Sequence, residues 1–183
     1  MITKPRGKDY FGISIFWLAI SFLWGALLFV VVQERVQSVI LTENPARAIL
    51  YHNMDNNPDQ LAPEIHAKSE SARKEIEGEV ASRLGWILGI GAFVATITQL
   101  IFGALSDTSR NPRGRRRPFI VVGTVLACVA IYLFPLMPTF GSLLAVFLAI
   151  QLFINVATGP YQALLPDLIP IEHHGAASAW MGL

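Results

Sequence analysis

Apolar and charged positions are segregated along this 183-residue chain rather than interleaved. Residues 11–32, FGISIFWLAISFLWGALLFVVV, carry no charge, and neither do residues 84–105, LGWILGIGAFVATITQLIFGAL. A third uncharged run covers 119–137 and a fourth 139–165. A helix the length of the first run is about 33 Å long at ~1.5 Å per residue, enough to cross a hydrocarbon core of ~30 Å. Pro135, Pro138 and Gly141 predict a tight turn between the last two runs, which then lie antiparallel. The pattern predicts an all-α membrane protein with transmembrane helices over 11–33, 84–105, 118–137 and 139–166. A fifth apolar segment begins near Ala176 and the chain stops at Leu183, after about 12 Å of helix. The chain therefore reads as a fragment that holds four helices and the start of a fifth.

Charge between the runs sets the expected orientation. The tail, residues 1–10, has Lys4, Arg6 and Lys8, and the 106–117 loop has five arginines. The 34–83 segment has six basic residues against nine acidic ones. Positively charged loops stay in the cytoplasm, so the N-terminus, the arginine loop and the 167–175 loop are expected there and 34–83 outside. The first run is too long for a signal-peptide core and no small-x-small cleavage site follows it, so it is expected to remain as a span. Within the outer segment, 63–83 reads as a helix. Pro63 can open it, and Glu70–Lys74 and Glu79–Arg83 are spaced i, i+4, so it could extend the second span into water. YHNMDNNPDQ, 51–60, reads as a turn-rich loop. Its His52, Asp55 and Asp59 lack fixed ligand spacing and read as solvated. Glu34 is expected to be a solvated cap on the outer end of the first span.

Composition adds exclusions. The chain is 53% hydrophobic with a net charge of +1; bulk charge names no partner, and the apolar runs imply the lipid bilayer. Its single cysteine, Cys128, permits no internal disulfide or thiolate cage and is expected to be a small buried apolar residue. No phosphate-binding loop, nucleophile elbow or metal-ligand spacing is present, so neither enzymatic chemistry nor any cofactor or metal is implied. RNPRGRRRP, read alone, suggests a nucleic-acid patch. Pinned between two spans at the bilayer surface, it does not bind nucleic acid.

Asp107 lies at the C-terminal end of the second helix, where the dipole disfavours a carboxylate. Compensation is expected from the following arginines or from another helix end. Gly103, without a side chain, would let another helix approach. Pro118 suits the first turn of the third helix. The residues G-A-L-S-D followed by G-R-R-R resemble the signature loop between helices two and three of the major facilitator superfamily of transporters. The fuller SDTSRNPRGRRRPFI is similar to the plant sucrose–proton symporters and their glycoside–pentoside–hexuronide:cation relatives. NVATGPYQALLPDL, 155–168, resembles that branch's motif at the end of helix four. The resemblance implies a 12-helix bundle whose two halves rock around a midplane site, with the remaining helices as this segment's partners. It also implies a secondary transporter, with proton-coupled uptake of a sugar or glycoside as the first reading. A drug or organic-ion exporter and a non-transporting membrane scaffold are the alternatives. In it Gly103, Asp107, Arg115, Arg116 and Arg117 would form the cytoplasmic gate, the arginines also fixing topology.

Candidates for the substrate site come from polar and aromatic residues inside the spans, which usually face the bundle interior or a cavity. Gln151 and Asn155 share one face of the fourth helix. Both offer the donors and acceptors that sugar hydroxyls require, or they bond between helices. Trp24 could stack on a sugar ring or simply pack. Gln99 is a further cavity candidate. Coupling needs a titratable group, and Asp167, an acid the branch links to proton coupling, is the candidate; an ion pair to the arginine loop is its other reading. One departure stands out. Where the sucrose-transporting branch carries arginines, this chain has IEHHGAASAW, with His173 and His174 in place of a basic pair.

Overall fold

A computed structural model of the chain describes residues 7–56, 61–111 and 114–164, together with 175 and 179. Asp167, His173, His174 and the expected fifth helix beyond Gly175 fall outside that description, apart from a helical backbone at Gly175 and Ala179. The described residues are all-α, with no strand among them. Helix α1, Gly7–Ala26, passes through a π-helical segment, Leu27–Val32, directly into α2, Gln33–Glu43. Helix α3 is Pro45–Asn56 and α4 runs unbroken from Pro63 to Thr108. Helix α5, Arg117–Leu133, ends in a 3-10 turn, Phe134–Leu136, and α6 is Phe140–Gln162. Four stretches among the described residues are long and apolar enough to cross a membrane: Ser14–Glu43, Pro63–Thr108, Arg117–Leu136 and Phe140–Gln162.

The two helices that border the 34–83 segment do not stop where their apolar runs stop. Val32, Val36, Val39 and Ile40 continue a buried stripe at i, i+4, i+7 and i+8. Ala72, Ile76 and Val80 form a matching stripe on α4. With α3 they build a three-helix cap. The turn-rich reading of 51–60 is corrected over Tyr51–Asn56, which complete α3. Tyr51 packs against the apolar cluster there, and that burial outweighs the polar residues around it. Glu70–Lys74 and Glu79–Arg83 pair on α4 at 2.7 and 2.6 Å.

Charge ties the cap to the membrane bundle. Arg83 donates to Glu43 of α2 at 2.7 Å and to Glu79, while its guanidinium lies 5.0 Å from the ring centre of Phe140 at the start of α6. A guanidinium keeps its charge at any physiological pH, so Arg83 is a permanent cation at this junction. Arg35 of α2 donates to the Met137 carbonyl in the turn before α6, at 3.0 Å. That turn is closed by a capping box in which Thr139 Oγ1 accepts from the Ser142 N–H and Ser142 Oγ from the Thr139 N–H.

Helix α6 is the centre of the bundle. Leu143, Phe147, Ile150 and every residue from Ile154 to Tyr161 are buried. It packs parallel to α4 and antiparallel to α5 at backbone distance. A Cβ on Gly123 of α5 would lie 2.7 Å from the Phe153 carbonyl, and one on Gly159 would lie 2.8 Å from the Gln99 carbonyl. Small residues allow such approach between membrane helices, where van der Waals contact replaces hydrophobic drive. The close helix approach expected at Gly103 is present, but Gly159 is what permits it: a Cβ on Gly159 would lie 3.2 Å from the Gly103 nitrogen, whereas one on Gly103 meets nothing within 4 Å. Cys128 is corrected, since it is exposed on α5. In a membrane helix an apolar side chain finds an apolar surrounding on either face, so its character does not report burial.

Gly123→Ala and Gly159→Ala are each expected to cost about 1–3 kcal/mol of stability through overpacking. Gly103→Ala should be neutral or slightly stabilising, since Ala is the better helix former by ~1 kcal/mol. Thermal unfolding of the three variants in detergent micelles checks this; equal midpoints would contradict the packing described.

Candidate functional site

Two arrangements hold the residues singled out from the sequence. The first is the connection from α4 to α5. Asp107 lies in the last turn of α4, which holds no basic residue, and Arg116 occupies the position just before the first helical residue of α5. Each sits at the end of its helix that the dipole disfavours, the carboxylate at a negative end and the guanidinium at a positive one. They resolve this together: Arg116 Nη2 meets Asp107 Oδ1 at 2.7 Å. The Arg116 side chain is only 7% exposed, against 56% for Asp107. Arg116 Nη1 also donates to Ser106 Oγ at 3.3 Å, and that hydroxyl donates to the Gly103 carbonyl at 2.7 Å. Ser106 is fully buried and was not singled out from the sequence; a serine beside a flagged aspartate gives no signal by itself.

The loop is brought back by a turn in which the Gly114 N–H donates to the Asn111 carbonyl at 3.1 Å. Gly114 has φ +109°, a conformation open to glycine and strained for other residues. Arg115 and Arg117 are exposed on either side of buried Arg116. The three consecutive arginines are therefore not equivalent, and one alone turns inward.

The second arrangement is a groove of about 440 Å³ between α4 and α6. Thr96, Gln99, Gly103 and Asp107 line one wall at helical spacing, and Gly159 and Gln162 line the other. Gln99 Nε2 donates to Gln162 Oε1 across it. The groove thus joins three of the expected residues, Gln99, Gly103 and Asp107, on one face of α4. Gln162 was missed because it sits at the end of an apolar run, among residues that read as helix terminus.

Gln151 and Asn155 lie elsewhere. Both are buried, at mid-height of α6, on its inner side. Asn155 Nδ2 donates to the Gln151 carbonyl at 2.8 Å, with Gln151 Oε1 at 3.5 Å. Gln151 fills the space beside Gly91 of α4, 3.2 Å from where a Cβ would be. Trp24 packs against the apolar cluster that contains Ile150 and Ile154. The hydroxyls of Thr96 and Thr158 bond to carbonyls one turn back on their own helices, at 2.9 and 2.8 Å. So the four residues proposed for substrate divide three ways: Gln99 in the open groove, the two amides inside the bundle, and Trp24 in the packed cluster.

Compared with known families, residues 76–172 match a family model described as MFS/sugar transport protein, more than half of the chain. No curated protein and no solved structure gives a significant match.

Asp107→Ala and Arg116→Ala should each destabilise the bundle, and the double variant should lose less than the two together. A coupling of about 1 kcal/mol is expected for a charge-assisted pair with one exposed partner. A double-mutant cycle on detergent unfolding measures it, and strict additivity would show that the pair contributes nothing.

Proposed function

The chain belongs to the MFS/sugar transport protein family, and from that premise we propose that it works in proton-coupled symport of a sugar or glycoside by alternating access. An integral membrane transporter of this superfamily acts on a small-molecule substrate within the bilayer, and no covalent chemistry is required of it. The observation that carries the alternating-access part of this reading is the Asp107–Arg116 pair at the end of the α4–α6 groove. The pair holds the ends of α4 and α5 together while its carboxylate stays more than half exposed at the loop surface, where a partner half would dock and leave. That is what a gate at the cytoplasmic surface needs, with Gly103, Arg115 and Arg117 beside it. The cell membrane is its proposed site, and charge distribution supports a cytoplasmic N-terminus.

The substrate reading rests on side-chain chemistry at mid-height of α6. Gln151 and Asn155 keep amide donors and acceptors in an apolar bundle, where sugar hydroxyls would find matched partners. Gln99 in the α4–α6 groove and Trp24 of α1 are further proposed substrate contacts, apart from the two amides. Asp167 follows α6 in the chain and is the proposed coupling carboxylate, protonated from one side and released to the other.

Sugar-induced alkalinisation of the medium tests this, with the protein expressed from its native gene in de-energised cells. Disaccharides and glycosides are added one at a time. The expected result is a pH rise that disappears in Asp167→Asn at unchanged surface level. Absence of a rise for every sugar, with the protein at the surface, would remove sugar symport and leave the transporter family standing.

A further inference from the structure

The cap contains a second polar groove, remote from the gate. It has a volume of about 340 Å³, at the small end of the ~300–1,000 Å³ typical of ligand sites. Gln33 and Gln37 of α2, Tyr51 of α3 and Glu77 of α4 supply its polar wall, and Ile76 and Leu84 are among its apolar residues. Leu84 begins the apolar run of α4, so the groove reaches down to the membrane boundary.

Its polar groups are held in place but not consumed. Gln37 Nε2 donates to the Tyr51 hydroxyl at 2.9 Å, which leaves the Gln37 carbonyl and the Tyr51 proton free to bond outward. Gln33 is exposed on the groove wall. Glu77 engages Arg73 through Oε1 at 2.8 Å, and its other oxygen still has acceptor capacity. That ion pair also neutralises the groove's only carboxylate. A cation therefore finds no net charge there, and an anion finds no cation among the lining residues. Two amides, a phenol and a compensated carboxylate beside aliphatic side chains suit a neutral polyol, with hydroxyls on one side and C–H faces on the other. Gln33 also follows directly on the π-helical segment Leu27–Val32, and such segments recur at functional sites because they re-aim the residues around them.

We propose that this groove is a carbohydrate-binding subsite in the cap, separate from any site at the bundle midplane, that collects a disaccharide before it enters the transport path. The proposal builds on the sugar reading above by naming where the sugar first binds. Equilibrium dialysis of radiolabelled sucrose, maltose and lactose against the full protein in nanodiscs tests it, in parallel with transport of the same sugars. The variants are Gln33→Leu/Gln37→Leu and, as a minimal change that keeps the ring packed, Tyr51→Phe. At least one sugar should bind the wild type, and the double variant should bind it about tenfold more weakly, the loss expected for two neutral hydrogen bonds. Where that sugar is transported, KM should rise and kcat stay unchanged. Binding that depends on the groove without any transport would support the subsite and overturn the symport reading. Sugar transport with unchanged KM and binding in both variants would do the reverse. Failure of all three sugars to bind the wild type would overturn the subsite.

Discussion

Everything in this bundle depends on how closely α6 approaches its two neighbours. In a bilayer, helices gain little from hiding apolar side chains from one another, because lipid is as apolar as leucine. What remains is contact at short range. Gly123 and Gly159 let the backbones of α5 and α4 meet α6 with no side chain between them. Gly91 leaves room for Phe147 and Gln151. These three notches lie along the length of α6 and fix its height against both partners. They also place Gln151 and Asn155 on the inside, and they put Gln162 opposite Gln99.

The charge pair at the loop depends on the same register. Asp107 and Arg116 are separated by eight residues of connection, and each is misplaced with respect to its own helix dipole. With α4 and α5 both held against α6, their ends are brought close enough for the 2.7 Å contact. The arrangement is self-consistent: packing sets the distance, and two unfavourable helix ends become one favourable pair. The turn at Gly114 then reverses the chain within a short span, which delivers Arg116 inward while its neighbours stay exposed.

Much of this was legible in the sequence, and what was not has physical reasons. Long uncharged runs identify spans because a bilayer imposes a length that soluble proteins do not. The cap helices were harder. Val36, Val39 and Ile40 stand among charges, and a stripe of three residues is too short to distinguish from a polar loop until the matching Ala72, Ile76 and Val80 are set against it. Cys128 misled, and the approach at Gly103 was credited to the wrong glycine, for a shared reason. Inside a membrane span neither apolarity nor small size says which face a residue occupies. That depends on where the neighbouring helices stand, which only the register of Gly123 and Gly159 reveals. Asp107 was legible because its dipole problem is local, whereas Ser106, its buried companion, answers to a guanidinium ten residues away.

A continuous α4 has a mechanical consequence. Its 46 residues amount to about 69 Å of helix, joining the cap at one end to the Asp107–Arg116 pair at the other. Arg83 fastens that helix to α2 and to the start of α6, and Arg35 fastens α2 to the turn before α6. Bending within the bundle would have to separate backbones that touch at Gly123 and Gly159 and expose a buried guanidinium. Moving α4, α5, α6 and the cap together breaks none of these contacts. Movement of these helices and the cap as one unit is therefore what this packing resists least. In such a motion the cap would travel with the Asp107–Arg116 pair, the two joined by a single helix.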